Sequence, residues 1–466
     1  MQFVSTRGQA PVLGFCDAVL SGLASDGGLY LPDAWPKVSV SEIAGYAGRP
    51  YADVAYAIIS RFVGGEIPYA TLKGIIDGAY EGFRHPSVTP IVEIGPNRFL
   101  LELFHGPTLA FKDVAMQFLA RLMDHILATR NARATIVGAT SGDTGSAAIE
   151  AFKGRSATDI FILHPHGRTS GIQRRQMTTV ADENVHNIAV SGTFDDCQAL
   201  VKGMFNDKPF REQMHLSGVN SINLGRIVAQ IVYYFTAAVS LGAPHRKVSF
   251  VVPTGNFGDI FAGYAAKRMG LPIANLVIAT NSNDILARTI ESGRYEVGPV
   301  TPTMSPSMDI QVSSNFERLM FEALNRDSYA LTRLMNSQQQ SGAFTMPAGA
   351  LAAIRESFAA GRATETETAA TITKIAKTAG YTLDPHTAVG VTVASKLELG
   401  QDPVVILATA HPAKFPSAVR EATGVEPPLP VWLADLRERP ERYDVLAADL
   451  GAIEAYVRAL SRAGRS

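Results

Sequence analysis

Cysteine is nearly absent from this chain: Cys16 and Cys197 are the two thiols among 466 residues. They lie far apart and lack metal-ligand spacing, which excludes a disulfide framework and a cysteine zinc site and fits a reducing compartment. Charge of one sign is lacking too. Lys and Arg total 42 against 43 Asp and Glu, for a net charge of −1, so no basic surface for nucleic acid is expected. No apolar run approaches the roughly 18–20 residues that span a bilayer, and Met1–Gly8 has no charged region leading into an apolar core. A cytoplasmic protein without nucleic-acid or membrane partners is the expectation. Motif absences narrow the chemistry further. There is no His-Glu-x-x-His, no Gly-x-x-x-x-Gly-Lys-[Ser/Thr] and no Gly-x-Gly-x-x-Gly. Ala139 stands where a Gly-x-Ser-x-Gly elbow around Ser141 needs glycine.

What is present is apolar substance, 46% of the residues, and a length that suggests two or three domains. Strands and helices alternate from about residue 134. Buried strands are expected at 134–138, 159–163, 187–190, 248–252, 275–280 and 403–408, with helices at 146–153, 195–205, 227–241 and beyond 259. That order predicts open, mostly parallel α/β sheets with helices on both faces. The division expected is an N-terminal helical extension over 1–90, a smaller α/β domain over 91–235, a larger one over 236–425, and a helical tail over 426–466. Residues 301–345 give no clear boundary.

The stretch His105-Gly-Pro-Thr-Leu-Ala-Phe-Lys-Asp113 is a polar turn running into a helix. Val114, Ala115, Phe118, Leu119 and Leu122 recur at helical spacing, so Lys112 and Asp113 fall in the first turn. A cation there opposes the helix dipole by roughly 0.3–1 kcal/mol. A neutral amine, or one consumed in a Schiff base, suffers less, and the same field lowers its pKa. Two readings stand at this point: a solvated surface lysine or a reactive amine.

Three strand-end loops carry further chemistry. Thr140-Ser-Gly-Asp-Thr-Gly145 offers hydroxyls and N–H groups at a helix start, as ordinary capping or as an anion cradle. Thr254-Gly-Asn-Phe-Gly-Asp259 lets backbone N–H groups converge on one anion, a phosphate without a nucleotide, or else is a tight strand-to-helix turn. Thr409-Ala-His-Pro-Ala-Lys414 supplies a hydroxyl after a late strand; ordinary hydrogen bonding is the favoured role for His411. Asn220-Ser-Ile-Asn-Leu-Gly-Arg226 adds an arginine suited to a bidentate grip on an anion, or to a helix-start salt bridge.

Taken together, these stretches, with Asp384-Pro-His-Thr-Ala-Val-Gly390 and Gly27-Gly-Leu-Tyr-Leu-Pro32, resemble threonine synthases, in the bacterial and fungal branch with an extended N-terminal region. The resemblance implies a tryptophan synthase β-like fold (fold type II of the pyridoxal phosphate enzymes), pyridoxal 5′-phosphate as cofactor and O-phospho-L-homoserine as substrate. The implied activity is that of a carbon–oxygen lyase giving L-threonine and phosphate, as a monomer or homodimer. By the same resemblance Lys112 matches the lysine that carries the cofactor. Gly255, Asn256, Phe257, Gly258 and the adjoining Asp259 match the loop holding its phosphate, and Thr409 matches the hydroxyl facing the ring nitrogen. Ser141 and Thr144 match groups near the substrate, and Asn220, Ser221 and Arg226 the grip on its phosphate. Asp143 stands where relatives on this fold carry Asn against the cofactor's 3′ oxygen, a contact an Asp makes by sharing a proton. The competing expectations are a lyase on the same fold that releases 2-oxobutyrate and ammonia, a serine/threonine dehydratase, and a non-catalytic cofactor-binding protein.

Overall fold

The computed structural model describes residues 1–465. Near the N-terminus β1 (Phe3–Ser5) and β2 (Tyr30–Pro32) form a small antiparallel pair. Two helices of the N-terminal region span Tyr51–Val63 and Tyr69–Tyr80. The remaining strands are β3 (Ile91–Gly95), β4 (Arg98–Glu102), β5 (Ala134–Ala139), β6 (Thr158–Pro165), β7 (Val185–Ser191), β8 (Leu216–Ser217), β9 (Val248–Pro253), β10 (Ile273–Thr280), β11 (Arg294–Glu296), β12 (Ala343–Thr345), β13 (Phe358–Arg362), β14 (Val404–Ala408) and β15 (Asp444–Ala447).

Two sheets organise the chain. One is five-stranded and parallel throughout, in the order β15-β7-β6-β5-β8. The other is six-stranded, in the order β13-β10-β9-β14-β4-β3, and parallel except for the hairpin of β3 with β4. Strands β6, β9 and β14 are buried along their whole length, as continuous apolar strands covered on both faces should be.

The sheets cut across the sequence division at two places. Strands β3 and β4 fall within the stretch expected to form the smaller unit, yet β4 runs parallel to β14, Leu100 opposite Ile406. Leu100 there joins an apolar cluster with Val251, Val404 and Ile406, burial that the five-stranded sheet does not provide. Strand β15, in the expected helical tail, adds parallel to β7 at the sheet edge.

Helix Lys112–Thr129 lies against helix Leu224–Ser240 in the largest core, where Phe118, Leu119, Leu122 and Met123 are buried with Leu224, Ile227 and Val228. Each such side chain contributes roughly 1.5–3 kcal/mol on leaving water, so the turn before Lys112 is anchored to a rigid element. Asn223 caps the second helix by accepting from Gly225 N–H at 2.9 Å. Among the described residues, no helix is long and apolar enough to cross a membrane.

Candidate active site

Strands β5, β9 and β14 deliver their carboxyl ends to one cavity of about 830 Å³, the usual place for a ligand in an open α/β sheet. Every residue that the resemblance matches to the site lines it: Lys112, then Ser141, Asp143 and Thr144 after β5, Asn220, Ser221 and Arg226, the run Gly255 to Asp259 after β9, and Thr409 after β14.

Lys112 is the first residue of its helix and is only 8% exposed, which removes the surface-lysine reading. The turn before it is fixed twice to the loop after β14. Phe111 N–H donates to the Thr409 carbonyl at 2.8 Å, and His411 N–H to the Leu109 carbonyl at 3.0 Å. Leu109 holds φ at 64°, a left-handed conformation costing on the order of 1–3 kcal/mol for a non-glycine residue. Asp113 reinforces the turn by accepting from Thr108 N–H at 2.8 Å and Thr108 Oγ1 at 2.6 Å. Burial lowers the pKa of the Lys112 amine, and Lys414 and Arg226 push the same way, against the attraction of Asp143.

Asp143 opens helix Asp143–Phe152, three residues earlier than the helix expected at 146, because Gly142 turns the chain with φ at 152°. Its Oδ1 forms an ion pair with Lys414 Nζ at 2.9 Å and accepts from Gln173 Nε2 at 2.8 Å; its Oδ2 accepts from Ser307 Oγ at 3.0 Å and faces Lys112 Nζ at 3.5 Å. Although burial opposes it, the two ammonium groups hold this carboxyl well below the usual carboxylate range. Asp143 is therefore ionised and an acceptor, with no proton of its own to share. Lys414, Gln173 and Ser307 are site residues that the sequence reading misses. Lys414 lies in one of the three loops it marks, but its partner is remote in the chain.

The loop after β9 is built to approach something closely. Among the described residues, the N–H groups of Gly255, Asn256 and Phe257 have no backbone acceptor. A Cβ on Gly255 would sit 2.9 Å from the Ser307 carbonyl oxygen. Phe257, at φ 64°, is the cap of helix Gly258–Met269. Asn315 braces the loop, donating from its backbone N–H at 3.1 Å and its Nδ2 at 2.9 Å to the Asn256 carbonyl, and from Nδ2 to the Ser221 carbonyl at 3.3 Å. Asp259 accepts from the Tyr233 and Tyr234 hydroxyls, while its Oδ2 is buried without a partner, and burial pushes its carboxyl up to about 6.

Arg226 is 4% exposed. Its Nη1 donates to the Val219 carbonyl at 3.2 Å, and its Nε is buried without a partner. Burial pushes the guanidinium down to about 10, so it stays charged at neutral pH. A buried, charged guanidinium with an unpartnered Nε is suited to binding an anion. His411, by contrast, does not line the cavity. Its Nδ1 accepts from Ala413 N–H at 3.1 Å, and burial pushes it down to about 4, so it is neutral.

This donor set fits pyridoxal phosphate: a buried amine, a glycine loop with free N–H groups that a methyl group on Gly255 would crowd, the Thr409 hydroxyl at the end of β14, and a second cation for a second anion. Comparison with known proteins agrees. The family described as "Threonine synthase N terminus" matches residues 2–80, "Pyridoxal-phosphate dependent enzyme" matches 84–334, and "Threonine synthase, C-terminal" matches 387–457. Threonine synthase of Pseudomonas aeruginosa is 51% identical over 459 residues, covering 98% of each chain. Among solved structures, the pyridoxal phosphate-bound threonine synthase from Brucella melitensis has a TM-score of 0.98 at 61% identity, covering 99% of this chain and 100% of that one. The yeast threonine synthase has a TM-score of 0.93 at 40% identity, covering 98% of each chain. The chain belongs to the threonine synthase family of pyridoxal phosphate-dependent enzymes.

Proposed function

We propose that the chain converts O-phospho-L-homoserine and water into L-threonine and phosphate, by γ-elimination followed by β-addition of water, as the last step of threonine biosynthesis. The observation that carries this reading is the second anion site. Arg226 presents a buried guanidinium with an unpartnered Nε to the same cavity as Lys112 and the loop after β9. A dehydratase acting on a substrate without phosphate has no need of that cation.

Bound pyridoxal phosphate supplies the electron sink that makes protons at Cα and Cβ of the substrate labile. The chain supplies the rest. Lys112 would hold the cofactor through its amine, and that amine would take up and return protons on the substrate carbons. Gly255 to Gly258 would receive the cofactor phosphate on backbone N–H groups at a helix start, and Thr409 would supply a neutral hydroxyl to the ring. A neutral partner there, unlike a carboxylate, does not favour a protonated ring, which suits elimination and replacement over transamination. Arg226, with Asn220 and Ser221, grips the leaving phosphate; Ser141 and Thr144 orient the substrate at the helix start.

A cytoplasmic enzyme, monomeric or homodimeric and without nucleic-acid partners, completes the reading; two isolated buried thiols and a balanced net charge support it. The test is product identification after incubating the loaded protein with O-phospho-L-homoserine. Threonine with equimolar phosphate is expected; 2-oxobutyrate and ammonia as main products would overturn the synthase reading in favour of a lyase.

A further inference from the structure

Lys112 lines the cavity, a second lysine is buried behind it, and among the described residues one carboxylate, Asp143, pairs with both. Lys414, in the 3-10 turn Pro412–Lys414 beyond β14, is 0% exposed, and burial without a role is rare for this residue type. Its Nζ donates to the Thr108 carbonyl at 2.7 Å and forms an ion pair with Asp143 Oδ1 at 2.9 Å. Lys112 reaches Asp143 only through Oδ2, at 3.5 Å, and that oxygen already accepts from Ser307. Gln173 and Ser307 hold the carboxylate from both sides, and Gln176 Nε2 donates to the same Thr108 carbonyl at 3.1 Å. One carboxylate cannot neutralise two buried ammonium groups, and the geometry gives it to Lys414.

We propose that Lys414 is a positioning residue: by taking the shorter contact with the Asp143 carboxylate it leaves the Lys112 amine only a long, shared one, and so available as a nucleophile. The inference rests on the reading of Lys112 as the cofactor lysine. The other groups facing the pair act in the same sense or from further off. Arg226, on helix Leu224–Ser240, adds a second repelling cation at Lys112. Asp259, on helix Gly258–Met269, has its own donors in Tyr233 and Tyr234. His386, on helix Pro385–Lys396, is bonded through Nδ1 to Asp384 at 3.0 Å and through Nε2 accepts from Ser307 N–H at 3.2 Å. Thr108 ties the two lysines mechanically. Its carbonyl takes Lys414, while its N–H and hydroxyl hold Asp113 in the first turn of the Lys112 helix.

The test uses the full-length chain with cofactor dialysed away, acetylated competitively with acetic anhydride across a pH series, with the Lys112 peptide quantified by mass spectrometry. In Lys414→Met, Asp143 is freed for Lys112 and a repelling cation is gone. The Lys112 labelling midpoint should rise by roughly one pH unit or more. Lys414→Arg should keep the wild-type midpoint, and Asp143→Asn should lower it. Opposite shifts from two members of one network are not produced by a loss of packing. An unchanged midpoint in folded Lys414→Met overturns the proposal, as does a Lys414→Arg midpoint displaced as far as that of Lys414→Met. If Lys414→Met does not fold, Asp143→Asn decides: a midpoint equal to or above wild type overturns it. In the loaded protein, the pH midpoint of the lysine-bound cofactor's visible absorbance should rise in Lys414→Met. None of these readouts depends on which substrate the enzyme turns over, so failure here is distinguishable from failure of the reaction assignment.

Discussion

The substitution Arg226→Met separates binding from folding, because the two effects should have opposite signs. In the unliganded fold the guanidinium is buried, has one hydrogen bond to the Val219 carbonyl, and leaves Nε unpartnered. Pushed down from 12.5 to about 10 by burial, it costs the fold on the order of 3 kcal/mol, at about 1.4 kcal/mol per pH unit. A methionine side chain would keep most of the packing and remove that charge, so denaturation in urea should show an unchanged or raised midpoint. Catalysis should move the other way. A charge-assisted contact to the substrate phosphate contributes about 1.5–3 kcal/mol, more if bidentate, so kcat/KM should fall on the order of 10–10²-fold or more. Cofactor binding should be preserved, since Gly255 to Gly258 are untouched. An unchanged kcat/KM, or a fold destabilised along with it, would refute the assignment of Arg226 to the substrate anion.

Other consequences are equally direct. Lys112→Ala should fold and lose the visible absorbance of lysine-bound cofactor together with all turnover; a retained band would place the cofactor on another amine. Asp259, pushed up to about 6 by burial from an ordinary 3.8, binds more protons folded than unfolded. Stability should therefore fall as pH rises through the 4–6 window, by on the order of 3 kcal/mol from this group. Asp259→Asn should flatten that fall in urea midpoints measured across the window, whereas an unaltered slope would exclude Asp259 as its source. Arg318, 0% exposed, donates to the Tyr30 carbonyl at 3.2 and 3.1 Å and to the Ile222 carbonyl at 2.7 Å, and also bonds Asn315. Arg318→Ala should cost about 3–5 kcal/mol by orphaning these groups, read as a lowered thermal midpoint.

Much of this site can be read in the chain because its parts are local. Glycines and capping residues mark strand-end loops wherever they occur, and the apolar spacing after Lys112 marks a helix. What could not be read depends on distant partners. Lys414, after a strand in a polar turn, looks solvent-facing until Asp143 and Thr108 are brought beside it by the packing of the two sheets. The segment 301–315 has no periodicity because side chains hold it: Asn281 Nδ2 donates to Asp309 Oδ1 at 2.8 Å and Asn283 Nδ2 to the Thr301 carbonyl at 2.8 Å. Ser307 reaches the cavity by that route alone. Strand β13, Phe-Ala-Ala-Gly-Arg, has none of the β-branched residues that signal a strand, and it exists because it completes the edge beside β10.

The most direct measurement of the central claim is turnover of O-phospho-L-homoserine in water enriched in oxygen-18, with mass analysis of both products. Elimination at Cγ followed by water addition at Cβ predicts threonine carrying one solvent oxygen at its hydroxyl and phosphate retaining only substrate oxygens. Unlabelled threonine, or phosphate carrying solvent oxygen alongside homoserine, would contradict it.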